Sequence, residues 1–146
     1  MATLKKTTEA QAPLIAQFSF TMADAMVNTS GVLTNFKATS GTVYDIFTLP
    51  FGSQVVGGDV VVKVVSNDTG AATISVGDSG SATRYLGATS IKALARTALV
   101  PTGFKTSSQG LRITLSNATG DATTGEVKVT VMFTVDGRAH ENLKTT

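Results

Sequence analysis

The sequence predicts an all-β fold: a β-sandwich or jelly roll of about eight antiparallel strands, with one or two short helices and extended termini. Three observations predict it. Threonine (24), serine (12) and glycine (14) supply 50 of the 146 positions, and valine adds 16 more. Threonine and valine fit pleated, half-buried surfaces, while glycine and serine fit the turns between them. Several segments alternate apolar and polar residues with a period of two, and turn-forming residues separate them.

The elements follow in order. Residues 1–13 are polar, end at Pro13 and read as an N-terminal arm. Residues 14–137 form the sandwich domain, and 138–146 form a polar tail. In Ala16–Met22, Phe18 and Phe20 alternate with Gln17, Ser19 and Thr21. Thr42–Leu49 is β-branched and aromatic, and stops at Pro50. Gln54–Ser66 holds seven valines on both faces, as expected of a central strand or of one whose outer face meets a partner. Gly57-Gly58 inside it suggests a bulge or tight bend. Ala71–Val76, Thr83–Leu86, Leu99–Val100 and Gly110–Ser116 follow. Gly125–Asp136 alternates most cleanly, with Val127, Val129, Val131, Phe133 and Val135 on one face. Ser66–Thr73 and Ser116–Thr123 echo one another (SNDTGAAT and SNATGDAT) and read as two related hairpin turns. Thr89–Arg96 and Ala23–Val27 are the two short helical candidates.

Composition excludes several function classes. Charged residues are 15% of the chain and apolar residues 42%, the reverse of a disordered protein. There is no cysteine, so disulfides and thiolate metal sites are ruled out. No apolar run approaches the roughly 20 residues of a membrane-spanning helix. The start, MATLKKTTEAQAPLIAQFSF, has no long apolar run after its lysines, so no signal peptide is expected. The Asn-x-Ser/Thr triplets at Asn28, Asn67 and Asn117 then read as coincidences of a threonine-rich chain. A net charge of +2 is too small to argue for nucleic acid. The charge is uneven, however. No acidic residue lies between Asp78 and Asp121, where Arg84, Lys92, Arg96, Lys105 and Arg112 all fall. That stretch reads either as a solvated face or as an interface for an acidic protein surface.

No constellation for catalysis emerges, and the chain is not expected to be an enzyme. His140, the sole histidine, lies in the tail. Gly77-Asp78-Ser79-Gly80 matches the string around a serine-protease nucleophile, but no histidine precedes it, and it reads as a turn. Asp45, Asp59, Asp68, Asp78 and Asp121 lack the spacing of a calcium loop. Tyr44, Arg84 and Tyr85 are candidates for an exposed, sugar-contacting face, although packing or rim roles suit them better. No catalytic, cofactor-binding or metal residue is assigned.

Five motifs fall in one order: Val43-Tyr44-Asp45-Ile46-Phe47-Thr48-Leu49-Pro50, Val55-Val56-Gly57-Gly58-Asp59-Val60-Val61-Val62, Arg84-Tyr85-Leu86-Gly87-Ala88, Arg96-Thr97-Ala98-Leu99-Val100-Pro101-Thr102-Gly103, and Val135-Asp136-Gly137-Arg138-Ala139. Together they resemble the jelly-roll cement (decoration) proteins of short-tailed bacteriophage heads. The resemblance spans roughly 100 residues and is weakest over the first 40. It implies a virion protein made in the bacterial cytoplasm and placed on the capsid exterior. There it would clamp neighbouring major capsid proteins of an HK97-type shell and pair or trimerise with itself. It implies no cofactor, no nucleic acid and no membrane partner. Leu4, Lys5 and Lys6 of the arm, Arg84, Lys92 and Arg96 of the basic stretch, and Arg138, Glu141 and Asn142 of the tail are the expected interaction residues.

Three other readings compete: a tail-tube or connector component, a fibre-type β-sandwich that binds glycans, and a hydrolase, which the lone tail histidine argues against. The second would need exposed aromatics, and the chain has no tryptophan and two tyrosines.

Overall fold

The computed structural model describes residues 11–39, 41–107 and 109–138. Ten strands follow in chain order: β1 (Leu14–Thr21), β2 (Ala25–Val27), β3 (Leu33–Asn35), β4 (Thr42–Thr48), β5 (Ser53–Val64), β6 (Ala72–Asp78), β7 (Leu86–Ser90), β8 (Arg96–Ala98), β9 (Gly110–Asn117) and β10 (Glu126–Val135). Two four-stranded sheets, β1-β10-β5-β8 and β4-β9-β6-β7, form the sandwich, and β2-β3 is a separate hairpin. Every pairing between these strands is antiparallel.

The topology is a jelly roll. The outward run β1, β4, β5, β6 pairs with the return run as β6·β7, β5·β8, β4·β9 and β1·β10. This long hairpin is rolled so that β10 also meets β5 and β9 also meets β6. Two Greek keys result. Rolling buries one face of every long strand. In β9, Leu111, Ile113 and Leu115 point inward, and in β10 Val127, Val129 and Val131 do so, all 1% exposed or less. Burying each such side chain stabilises the fold by about 1.5–3 kcal/mol.

β5 lies between β10 and β8, which accounts for its valines on both faces. The glycine pair sits beside a register shift: Met132 pairs with Gly57 but Phe133 pairs with Val55, leaving Val56 bulged. Gly58 has φ +134, and a Cβ there would lie 2.2 Å from the Thr130 carbonyl oxygen. A β-bulge with close backbone approach requires glycine at that point.

Four expectations change. Among the described residues there is no helix. Thr89–Arg96 supplies the end of β7, a bend and the start of β8. Ala23–Val27 supplies a turn and β2. β7 and β8 are Leu86–Ser90 and Arg96–Ala98 rather than 83–86 and 99–100. The echoed segments are not hairpins either. Each carries the chain from one sheet to the other, from β5 to β6 and from β9 to β10.

The β2-β3 hairpin fits the open side of the sandwich between edge strands β1 and β4. Its last turn inserts Phe36 against Phe18 and Phe20 of β1 and Tyr44 of β4, with ring centroids 4.4–6.1 Å apart. The Tyr44 hydroxyl donates to the Asn35 carbonyl at 2.8 Å, and the Thr29 N–H donates to the Val43 carbonyl at 3.0 Å. Asn28 closes the tip by accepting from the N–H groups of Ser30 and Val32.

Gly58→Ala is expected to destabilise the fold by about 2 kcal/mol or more, since strained φ and contact with a ladder carbonyl act together. Gly87→Ala, where a Cβ meets nothing within 4 Å, should stay within about 0.5 kcal/mol of the parent. Urea unfolding of the two variants side by side checks both values.

Candidate protein-interaction surface

Arg84, Lys92 and Arg96 lie along the β7–β8 side of the sandwich, with Arg84 at the Asp78 end of β6 and Lys92 at the opposite, Gly70 end. Arg84 just precedes β7, Lys92 lies in the bend after it, and Arg96 opens β8. β7 and β8 are edge strands of the two sheets. The Val100 N–H donates to the Tyr85 carbonyl at 2.9 Å and joins the chain after β8 to the chain before β7.

The three cations have different surroundings. The Arg84 Nε pairs with Asp78 Oδ2, and its guanidinium sits 3.7 Å from the centroid of the Phe104 ring. Asp78 is buried and also accepts from the N–H groups of Gly80 (2.8 Å) and Ser81 (2.9 Å). The Gly77–Gly80 string therefore ends β6 and opens a bend organised by the Asp78 carboxylate, and Arg84 balances that buried charge. The Lys92 ammonium donates to the carbonyls of Asp68 and Gly70, both at 2.7 Å, and clips the β5–β6 crossing. The Arg96 Nε donates to Asp59 Oδ2 at 2.6 Å, but the side chain stays 68% exposed. Lys92 and Arg96 are thus both exposed, and Arg84 is half-buried. Exposed Leu94 and Val100 flank Arg96.

The other two cations of the basic stretch are also paired, Lys105 with Asp136 and Arg112 with Asp45. Folding brings in carboxylates from outside the stretch, so its charge is largely balanced across strands. The Arg138 N–H donates to the Val135 carbonyl at 3.3 Å, closing the turn after β10. Leu4, Lys5, Lys6, Glu141 and Asn142, with His140, lie outside the described residues.

Both tyrosines are interior: Tyr44 is 0% and Tyr85 1% exposed. Burial, reinforced by Asp78 and partly opposed by Arg84, holds the Tyr85 pKa above its ordinary value. The aromatic face that a glycan-binding reading needs is therefore not built from these residues. Among the described residues no three metal-ligating side chains converge. All three asparagines of the Asn-x-Ser/Thr triplets hydrogen-bond within connecting segments: Asn28 at the hairpin tip, Asn67 to Thr123 and Thr124, and Asn117 to the carbonyls of Phe36 and Ala38.

The echoed crossings form a clasp that inspection of single motifs missed. Asp68 accepts from the Gly70 N–H (2.8 Å), the Thr119 hydroxyl (2.7 Å) and the Gly120 N–H (2.8 Å). In return Asp121 accepts from the Thr69 N–H at 2.9 Å and from its hydroxyl. The two equivalent threonines, Thr69 and Thr119, meet at 3.2 Å. The repeated string was the available signal, since like turns on neighbouring strands can face one another.

The described chain resembles chains in three solved phage structures. These are the capsid asymmetric unit of cyanophage Pam1 (TM-score 0.61, 21% identity, 92% of this chain and 94% of that chain), the acid-stable capsid of Helicobacter pylori bacteriophage KHP30 (0.59, 16%, 86% and 89%), and the capsid of Ralstonia phage GP4 (0.57, 13%, 95% and 93%). At these identities the likeness is one of fold. Each comparison covers most of both chains, so the matched chains are close to this one in length. No protein-family model matches the sequence, and no curated relative does.

Asp68→Ala should cost about 3 kcal/mol, because several donors lose their acceptor at once. Burial pushes the Asp68 pKa up. The Thr119 hydroxyl and the N–H groups of Gly70, Gly120 and Thr119 outweigh burial and hold it below the ordinary value. Asp121 is held at about 2, chiefly by the Thr69 hydroxyl and N–H. Depressed carboxylates stabilise the fold above their unfolded pKa of about 4 and lose that contribution as pH falls through the folded value. Calorimetry should therefore show Tm level above about pH 5 and falling between about pH 4 and 2. Asp121→Asn should flatten part of that fall.

Proposed function

We propose that this chain is a viral structural protein that binds the outer surface of a phage capsid and cements neighbouring major capsid proteins. The observation that carries the reading is the fold likeness, over nearly the whole of both chains, to small chains within three phage-capsid structures. Its partners are then an HK97-type major capsid protein and further copies of itself, and its place is the exterior of the virion.

The physical chemistry supports the same role. A cement protein needs a stable body, contact surface on more than one side and no reaction chemistry. The jelly roll supplies a continuous core. Its exposed large apolar residues, such as Ile15, Leu33, Phe51, Leu94 and Val100, lie on edge strands, turns and strand ends. Contacts at margins suit a body wedged between larger subunits. Many identical modest contacts around a closed shell add by avidity. Arg96, exposed at the start of β8, and the two termini are the proposed shell contacts.

Co-sedimentation with expanded, undecorated phage heads tests this reading. The expected result is saturable binding at a fixed ratio to the major capsid protein, with imaging locating the sites. Deleting residues 1–12 and 138–146 together should lower occupancy by about tenfold or more, the equivalent of about 1.4 kcal/mol per site. No binding by the full chain, with rings or tail-associated protein instead, would overturn the reading.

A further inference from the structure

A groove of about 280 Å³ opens beside β1, lined by Phe18, Ser19 and Phe20 on that strand, Asp24, Ala25 and Met26 entering the hairpin, and Phe36. Its floor is aromatic, with the Phe20 and Phe36 rings 4.4 Å apart. Phe18 and Met26 are half-buried, so apolar surface remains open to a visitor. The volume is many times the ~30 Å³ of one water and admits an aliphatic side chain. Asp24 stands at the rim. One of its oxygens accepts from the Thr21 N–H at 2.7 Å, and it has no cationic partner among the described residues. The groove therefore suits an apolar side chain followed by positive charge.

This chain carries such a segment outside the described residues: Leu4-Lys5-Lys6. Where that segment starts decides which copy supplies it. Gln11 is pinned at the Leu14 end of β1. Its side chain accepts from the Val135 N–H at 2.9 Å and donates to the Val135 carbonyl at 2.8 Å. The groove lies toward the other end of β1. Leu4 precedes Gln11 by seven residues and reaches at most about 24 Å from it, no more than the span from Gln11 to Phe18 at the near end of the groove, while Phe20 lies about 30 Å along an extended chain in the opposite direction. Folding back would also consume residues in a reversal. Residues 1–10 contain no glycine, proline, asparagine or aspartate with which to make a turn. Leu4 of the same chain therefore falls short, whereas an arm from a neighbour meets no such limit.

We infer that the groove between β1 and the β2-β3 hairpin receives the N-terminal arm of a second copy, with Leu4 on the Phe18-Phe20-Phe36 floor and Lys5 or Lys6 against Asp24. The inference goes beyond the capsid reading and requires only copies of this chain. It can fail while shell binding holds, and it can hold while shell binding fails.

The chain has no native cysteine, so cross-linking reads the contact directly. Full-length Leu4→Cys is mixed with full-length Ala25→Cys, a change at an exposed groove position, and oxidised. Leu94→Cys, in the bend between β7 and β8, serves as the control partner. Disulfide-linked heterodimers identified by mass, well above the control yield, are expected. The double variant Leu4→Cys/Ala25→Cys should form linked oligomers. Two results would overturn the inference: an internally closed monomer from the double variant, or heterodimer yields no higher than the control. Charge provides a second readout, whose first change lies wholly in the arm. Lys5→Glu with Lys6→Glu should weaken self-association in sedimentation by about fivefold, the scale of one surface ion pair, and Asp24→Lys should restore it. Association unaffected by either change would also overturn the arm's role.

Discussion

The clasp between the two sheet-crossing segments is the constraint on which the rest of the fold depends. A jelly roll must place β10 beside β5 and β9 beside β6, although paired residues lie 62–82 positions apart in the first case and 33–45 in the second. The crossings β5–β6 and β9–β10 lie where both pairings end together. Asp68 accepts hydrogen bonds from its own turn and from the facing one, and Asp121 accepts from Thr69 in return. A one-residue slip of either strand would break the clasp and turn the inward row Val127, Val129, Val131 toward solvent. Local turn chemistry and long-range register thus specify the same structure, which is how a chain rich in non-local contacts avoids alternative pairings. A Cβ on Gly70 would come within 2.5 Å of Ala118 Cβ, so the facing turns have no room for larger residues there.

Charge is arranged on the same plan. The described ion pairs Asp45–Arg112, Asp59–Arg96, Lys63–Glu126 and Lys105–Asp136 each join different strands or connections. Most are exposed and contribute little energy. Their positions matter more, because they match strands that belong side by side. Asp78–Arg84 differs, because its carboxylate is buried and a turn is wrapped around it. Removing Arg84 would leave that charge without its counter-ion in a place water does not reach. An exposed Arg96 and a half-buried Arg84 look the same in sequence. Only the depth of the partner carboxylate separates them.

The long strands were legible because alternation survives any context: β1, β4, β5, β6, β9 and β10 lie within a few residues of the expected positions. What failed were the segments where tertiary contacts override local preference. Thr89–Arg96 carries helix-compatible residues, but a segment that short cannot hold a helix alone. Ile91 instead becomes a buried corner, its N–H bonded to Ala72 and its carbonyl to Ser66. The β2-β3 hairpin was not expected, since Ala23–Val27 read as a short helix, and its role in closing the side of the sandwich through Phe36 depends on contacts with β1 and β4. The interaction surface was least legible. Sequence places five cations in a run without acids, and folding supplies carboxylates from positions 45, 59, 78 and 136. Tyr44 and Tyr85, attractive as exposed aromatics, pack into the core because rolling the sheets turns their side of β4 and of the chain before β7 inward.

The distribution of unburied apolar surface follows from this closure. The middle rows of the sheet exteriors carry Gln17, Thr130 and Asp59 on one side and Asp45, Arg112 and Thr114 on the other. Exposed large apolar residues lie mostly at the hairpin (Val27, Val32, Leu33), the β4–β5 turn (Phe51), the end of β5 (Val64, Val65) and around β8 (Leu94, Val100), with Ile15 and Val56 on the outer face of the β1-β10-β5 sheet near Met132. A sheet face can change its polarity without touching the core, since its outward rows carry no packing. Turns and edges are less free, because their backbone must still be shielded or paired. Apolar side chains at those margins stay single and scattered in a protein that acts alone. Here they recur at separate margins of one small body, beside the edge strands of both sheets. That combination suits a protein held between neighbours, with a core that sets the shape and a perimeter that makes the contacts.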